Sequence, residues 1–227
     1  MKKYIIITAG GKGSRMGANI PKQYIKILDK PILFHTIDRI HNIDSTYNLI
    51  TVINNGDRST FCRLKSQYIP DIPVTVVTGG DTRFQSVKNA VFSIEDDEAL
   101  VAIHDGVRPF ITKKMLLDSF LCAEQKGNAV CAVRPMDSVR FSSDNKNSSV
   151  NRDNIFLIQT PQTFKISCLK KAYNQEYNPL FTDDASVAES VCGHINLIEG
   201  SPYNIKITLP SDIIIAEQFL KQMNYDK

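Results

Sequence analysis

Short β-branched runs alternating with longer stretches of helical period constrain this chain more than any other feature of its sequence. Tyr4 to Thr8, Leu49 to Ile53, Val74 to Val77, Leu100 to Ile103 and Ala129 to Val133 have the length and apolar character of strands buried from both sides. Between them lie candidate crossover helices. Pro31 opens a stretch with Ile32, Phe34, Ile37 and Ile40 apolar, and Thr112 stands as an N-cap before Met115, Leu116, Phe120 and Leu121. Such alternation implies an α/β fold, a parallel sheet flanked by helices. Later segments read as regular structure over Ile155 to Ile158, helices around Leu169 to Tyr173 and Asp184 to Val191, and a last helix after Pro210-Ser211-Asp212. With 227 residues, 42% of them hydrophobic, and no repeat, residues 1–227 are expected to share one core as one domain.

The alternation breaks after Pro135. Asp137 to Asp153 carries the polar tract Ser142-Ser143-Asp144-Asn145-Lys146-Asn147-Ser148-Ser149, a protruding loop or hairpin arm at about 137–155. It is either a solvated insertion or a segment that reaches a second subunit. The 27 basic residues against 24 acidic ones give a net charge of +3, too even a balance for a general nucleic-acid binder. Cys62, Cys122, Cys131, Cys168 and Cys192 contain no C-x-x-C pair and are expected to be reduced, mostly core thiols. The apolar run after Met1-Lys2-Lys3 is too short for a signal peptide, and no segment approaches the roughly 20 apolar residues that span a bilayer. A cytoplasmic chain without a membrane partner is expected.

The residues suited to chemistry follow strand ends. Ala9-Gly10-Gly11-Lys12-Gly13-Ser14-Arg15-Met16-Gly17 leaves the first strand, with Lys22 a little farther on in Pro21-Lys22-Gln23. Glycine-rich backbone at the carboxyl end of a parallel sheet offers N–H groups to phosphates, and two cations flank it. It is no P-loop, since G-x-x-x-x-G-K-[ST] occurs nowhere, and a dinucleotide fingerprint from Gly11 would need glycine at Met16. Asp29 precedes the first crossover helix and reads as a turn residue. Gly79-Gly80-Asp81-Thr82-Arg83-Phe84-Gln85-Ser86 follows another strand and is either a turn with an N-cap or a helix start where Arg83 holds an anion or a base edge.

His104-Asp105-Gly106-Val107-Arg108-Pro109-Phe110 supplies an acid, Asp105, whose place beside phosphates suggests a divalent metal, bound directly or through water, and a histidine that suits a packed core position. Gln159-Thr160-Pro161-Gln162-Thr163-Phe164 reads as a compact turn before a helix, and Thr182-Asp183-Asp184-Ala185-Ser186 as a helix start capped by Thr182. Lys206, between Ile205 and Ile207, is either an edge-strand charge or a point charge aimed at a ligand phosphate.

In this order, A-G-G-K-G-S-R-M-G with P-K-Q, G-G-x-x-R-x-x-S, H-D-G-V-R-P-F, Q-T-P-Q-x-F, T-D-D-A-S and N-I-K-I-T-x-P-x-D resemble the 2-C-methyl-D-erythritol 4-phosphate cytidylyltransferases, from Tyr4 to the final helix. The ribitol-5-phosphate cytidylyltransferases share most of the set. Gly10-Gly11 and Val107 look more like the ribitol group, whereas Thr182 to Ser186 and Glu199-Gly200-Ser201-Pro202 look like the erythritol group. Gly106 stands where both usually carry alanine, and Tyr203 where an acidic residue is common.

The resemblance implies a three-layer, Rossmann-like nucleotidyltransferase fold with a mostly parallel twisted sheet, and a homodimer whose polar arm crosses to the partner. It implies CTP as co-substrate, a sugar-alcohol phosphate as acceptor, and Mg²⁺ or another divalent cation. Arg15 and Lys22 would stabilise charge at the reacting phosphate, and Arg152 and Lys206 would position the sugar phosphate. Ala9, Gly10, Gly11, Gly13, Gly80, Arg83 and Ser86 would surround the nucleotide, with Asp105 by the metal. Arg108, Ser138, Thr160 and Thr182 would be substrate contacts. A transferase using another nucleoside triphosphate and a nucleotide-binding module without turnover are the alternatives.

Overall fold

The structure, a computed structural model, describes residues 1–11, 20–144 and 146–225. Strand β1 (Lys3–Thr8) shows why the sheet is central: Ile5 and Ile7 pack into one core and Ile6 into another, all three without exposure. That double burial is what a parallel strand covered on both faces requires. Then come β2 (Lys26–Ile27) and β3 (Lys30–Pro31), joined by a two-residue turn with Leu28 and Asp29 at φ 46° and 65°, so Asp29 is a turn residue as expected. They are followed by α1 (Ile32–Ile43), β4 (Asn48–Ile53), α2 (Arg58–Tyr68), β5 (Thr75–Thr78), α3 (Arg83–Phe92), β6 (Leu100–Asp105), α4 (Lys113–Lys126) and β7 (Asn128–Val133). The remainder comprises β8 (Val139–Ser143), β9 (Lys146–Val150), β10 (Leu157–Lys165), α5 (Ile166–Tyr173), α6 (Asp184–Cys192), β11 (Leu197–Glu199) and α7 (Pro210–Tyr225).

Seven strands form one sheet in the order β11-β7-β10-β6-β1-β4-β5. Only β10 runs antiparallel to its neighbours; the other pairings are parallel. One face is covered by α1, α2 and α4 through Phe34, Phe61 and Phe120, and the other by α3, α5 and α6 through Val87, Leu169 and Val187. This is the three-layer α/β arrangement the sequence implied. A smaller cluster of Ile27, Val107, Phe110, Ile207 and Ala216 seats α7 beside the β2–β3 turn. Among the described residues no helix is long and apolar enough to cross a membrane.

Four expectations need correction. Gln159 to Phe164 is not a turn but part of β10, inserted between β6 and β7. Its polar letters hide a buried strand because each finds an interior partner: Gln162 bonds Asp183 and the Ala185 N–H, and Thr163 donates to Ser119. The cap of α6 is Asp183, not Thr182; its carboxylate accepts from the Ser186 N–H while Ser186 bonds back to the Asp183 N–H, a reciprocal capping box. The cysteines are not all reduced core thiols, since packing of α5 on α6 joins Cys168 to Cys192 in a disulfide with Cα atoms 6.0 Å apart. Of the rest, Cys62 is exposed and only Cys131 is buried. Lys206 lies outside any strand, which removes its edge-strand reading. The polar tract is a hairpin, β8 paired antiparallel with β9 from Val139–Val150 to Ser143–Lys146.

Candidate active site

The order of the strands fixes where a ligand can sit. From β1 the chain moves outward to β4 and β5, then returns to place β6 on the other side of β1. Connections that leave in opposite directions open a crevice at the carboxyl ends of β1 and β6, where Thr8 and Asp105 are register partners. A cavity of ≈ 550 Å³ occupies this crevice. Its described lining comes from the strand ends: Ala9, Gly10 and Gly11 after β1, Asn54 after β4, Gly80 to Arg83 after β5, and Asp105 at the end of β6. Lys22, Gln23, Ser86 and Lys206 add to it. A second cavity of ≈ 360 Å³ lies against Arg108, Gln159, Thr160, Gln162, Thr182 and Asp183. Arg83, Asp105 and Lys206 line both cavities and so form a shared wall.

Asp105 organises that wall. Its carboxylate accepts from Lys206 Nζ at 2.9 Å and Arg108 Nε at 3.3 Å. Burial alone would raise its carboxyl; the Lys206, Arg83 and Arg108 cations outweigh burial and hold it far below the usual carboxylate range. A carboxylate that stays ionised at neutral pH therefore sits beside two cavities lined by cations. Arg108 is fixed in turn by a 2.7 Å bond from Nη1 to the Asn204 carbonyl, which ties the wall to the segment carrying Lys206.

Beneath it runs a chain of hydrogen bonds whose polarity follows from its ends. The Arg108 carbonyl can only accept, so His104 Nε2 carries the proton of their 3.0 Å bond and Nδ1 is left to accept from Thr160 Oγ1 at 3.1 Å. Thr160 in turn accepts from the Asp105 N–H at 3.1 Å. His104 is a satisfied core histidine, with burial pushing its pKa down to about 4.

Two expected ligand contacts are already engaged within the chain. The Arg83 guanidinium forks onto Asp184 with bonds of 2.7 and 2.6 Å. Ser86 Oγ accepts from the Gly80 N–H and so holds the loop after β5 closed. Both still line the larger cavity.

Of the residues singled out from sequence, Ala9, Gly10, Gly11, Lys22, Gly80, Arg83, Ser86, Asp105 and Lys206 meet around the larger cavity. Arg108, Thr160 and Thr182 meet around the smaller. Ser138 and Arg152 line neither; Arg152 lies at the base of the arm, where Nη1 donates to the Met136 carbonyl at 2.7 Å. Gly13 and Arg15 lie outside the described residues. Sequence reasoning gave no site role to Asn54, Gln159, Gln162 and Asp184: Asn54 belongs to no motif, and the other three, although inside Q-T-P-Q-x-F and T-D-D-A-S, read there as turn and helix-start residues. Among the described residues Asp105 is the one carboxylate lining both cavities, Asp81 lines the larger and Asp183 the smaller, and no cluster of three or more His, Cys, Asp or Glu side chains able to hold a metal occurs. That donor set suits a cation that arrives on phosphate oxygens and takes one carboxylate, the usual habit of Mg²⁺.

The chain has relatives among known proteins along nearly its whole length. Residues 4–222 match the family described as 2-C-methyl-D-erythritol 4-phosphate cytidylyltransferase (IspD). The enzyme of that name from Bacteroides thetaiotaomicron is 39% identical over 220 residues, covering 97% of this chain and all of its own. The one from Azobacteroides pseudotrichonymphae is 43% identical over 222 residues, covering 96% and 99%. Among solved structures, the 4-diphosphocytidyl-2C-methyl-D-erythritol synthase of Anaerococcus prevotii superposes with a TM-score of 0.83 at 28% identity, over 97% of this chain and 96% of the other. The Francisella tularensis 2-C-methyl-D-erythritol 4-phosphate cytidylyltransferase gives 0.79 at 30%, over 96% and 99%. Matched in sequence and architecture along nearly its whole length, the chain belongs to the 2-C-methyl-D-erythritol 4-phosphate cytidylyltransferase family.

Proposed function

We infer that the chain transfers the cytidylyl group of CTP to the phosphate of 2-C-methyl-D-erythritol 4-phosphate, giving 4-diphosphocytidyl-2-C-methyl-D-erythritol and pyrophosphate. The observation that carries this reading is the pair of cavities meeting at the wall of Arg83, Asp105 and Lys206. The larger has the size of a small-molecule cleft, is lined by Gly10, Gly11 and Gly80 at strand ends, and takes CTP. The smaller takes the acceptor, so that its phosphate meets the α-phosphorus at the wall.

The residue types suit this transfer. A phosphate monoester loses its second proton near pH 6, so the attacking oxygen is anionic at neutral pH without a base. An acceptor oxygen bonds to the α-phosphorus as the bond to the β-phosphate oxygen breaks, and negative charge peaks between the two cavities. Lys22 and Lys206, with Arg15 from the glycine loop, neutralise it, and positioning and electrostatics supply most of the catalysis. Asp105 would hold Mg²⁺ or another divalent cation, which when bound neutralises triphosphate charge.

The whole chain acts as one cytidylyltransferase unit, in a homodimer built by the arm. In support, β8 and β9 form an isolated two-stranded hairpin, a marginal structure on its own, and Met136, Phe141 and Leu157 around it are exposed. Ser138 and Arg152 lie on that arm, away from the cavities of their own chain, and serve the partner's acceptor site. A reaction that draws on CTP supports a cytoplasmic chain, since nucleoside triphosphates are made there. Pyrophosphate release from CTP with each of 2-C-methyl-D-erythritol 4-phosphate and ribitol 5-phosphate tests the reading. The erythritol phosphate should be used with the higher kcat/KM, and a preference for ribitol 5-phosphate, or release with neither, would overturn it.

A further inference from the structure

Asp184 is fully enclosed, yet it opens α6 directly behind the shared wall. Its Oδ1 accepts from Arg83 Nη1 at 2.7 Å and Oδ2 from Arg83 Nη2 at 2.6 Å, across 101 residues of sequence. Tyr173, also fully buried, donates its hydroxyl to Oδ1 at 2.6 Å and packs its ring 4.9 Å from that of Phe84. Three donors occupy the carboxylate, so no substrate reaches it. Arg83, by contrast, keeps about a third of its side chain exposed and lines both cavities.

A forked pair of this kind does two things. It removes the rotational freedom of the guanidinium, and it cancels most of the charge Arg83 would otherwise present to phosphates. What the fork leaves Arg83 to offer the cavities is N–H groups presented in a fixed direction.

From this geometry we propose that Asp184, itself held by Tyr173, is a positioning residue for cytidylyl transfer, which locks Arg83 in a fixed orientation in the wall between nucleotide and acceptor. The same lock joins the loop after β5, on the nucleotide side, to Thr182 and Asp183 on the acceptor side. The inference rests on the transfer reaction assigned above.

Steady-state kinetics and CTP binding by calorimetry, with wild type, Asp184→Asn, Tyr173→Phe, Arg83→Ala and Arg83→Ala/Asp184→Asn, test it. A guanidinium released by Asp184→Asn should lower kcat by roughly 10- to 100-fold, the scale of a misplaced group in a transfer site, while CTP binds as tightly as before or more tightly. Tyr173→Phe, which deletes one bond and little volume, should lower kcat several-fold in the same direction and serves if Asp184→Asn fails to fold. In the Arg83→Ala background, Asp184→Asn should change kcat no further, whereas a purely structural carboxylate would act regardless of Arg83. Wild-type turnover with kcat kept within about two-fold in Tyr173→Phe and, where it folds, in Asp184→Asn would overturn the inference alone. Absence of wild-type turnover would overturn the reaction assignment and this inference with it.

Discussion

At the scale of single residues, the site separates groups that meet substrate from groups that hold others in place, and His104 belongs to the second kind. Both ring nitrogens are used inside the protein, one toward the Arg108 carbonyl and one toward Thr160, and burial pushes the pKa from 6.5 to about 4. The unfolded chain takes up this proton near pH 6.5 and the folded chain only near pH 4, so below pH 6.5 protonation favours unfolding. The contribution of neutral His104 is complete above pH 6.5 and is lost as pH falls toward 4, on the order of 3 kcal/mol in all. His35, lowered chiefly by burial, adds a loss of the same sign. Asp105, depressed by its cations, acts only below the ordinary aspartate range, so the windows are separable. Urea unfolding of wild type and His104→Asn at pH 7.5 and 4.5 should show a smaller acid loss for the variant, while the pH dependence of kcat keeps its shape. An equal acid loss in both, or a vanished limb in the rate profile, would mean that His104 titrates freely in the fold or takes part in the reaction.

Among elements, the turns after strands decide how close the backbone can come to a ligand, and two glycines there differ. A Cβ on Gly106, just after β6, would stand 2.8 Å from Leu33 Cδ1 and 3.0 Å from the Thr8 carbonyl. The carbonyl belongs to β1 and cannot withdraw, so Gly106→Ala overpacks the β1–α1 contact. A Cβ on Gly10 would meet Asn54 Oδ1 at an ordinary 3.4 Å. Thermal unfolding should therefore show Gly106→Ala destabilised by about 1–3 kcal/mol and Gly10→Ala close to wild type; the reverse order would refute this account of the turns. The sequence made β1, β4, β6 and β7 legible because double burial leaves unbroken apolar runs. It misrepresented β10, whose Gln159, Thr160, Gln162 and Thr163 are buried through hydrogen bonds that no local pattern records. Glycine loops were visible for the same local reason, whereas Asp184, which meets Arg83 only through the tertiary fold, looked like one more acid at a helix start.

For the molecule as a whole, Arg152 and Ser138 line neither cavity of their own chain, and the composite site proposed above would account for them. Arg152 stands at the foot of an exposed hairpin, and a charge-assisted arginine bond to the acceptor phosphate formed across a dimer would aid acceptor binding without touching the CTP site. Lys22 belongs to the other half, beside the glycine loop, and its removal should lower turnover by roughly 10² to 10³ with CTP binding largely kept. Arg152→Ala and Lys22→Ala homodimers should both be nearly inactive. A mixed dimer holds one site with both substitutions and one with neither, because the arm of the Lys22→Ala chain delivers an intact Arg152 to the intact Lys22 of its partner. Co-expression with two different affinity tags isolates that species, since preformed dimers need not exchange. Its expected turnover per dimer is about half that of wild type, the share of one intact site in two. Verified mixed dimers as inactive as either parent would place Arg152 in the service of its own chain or outside the site.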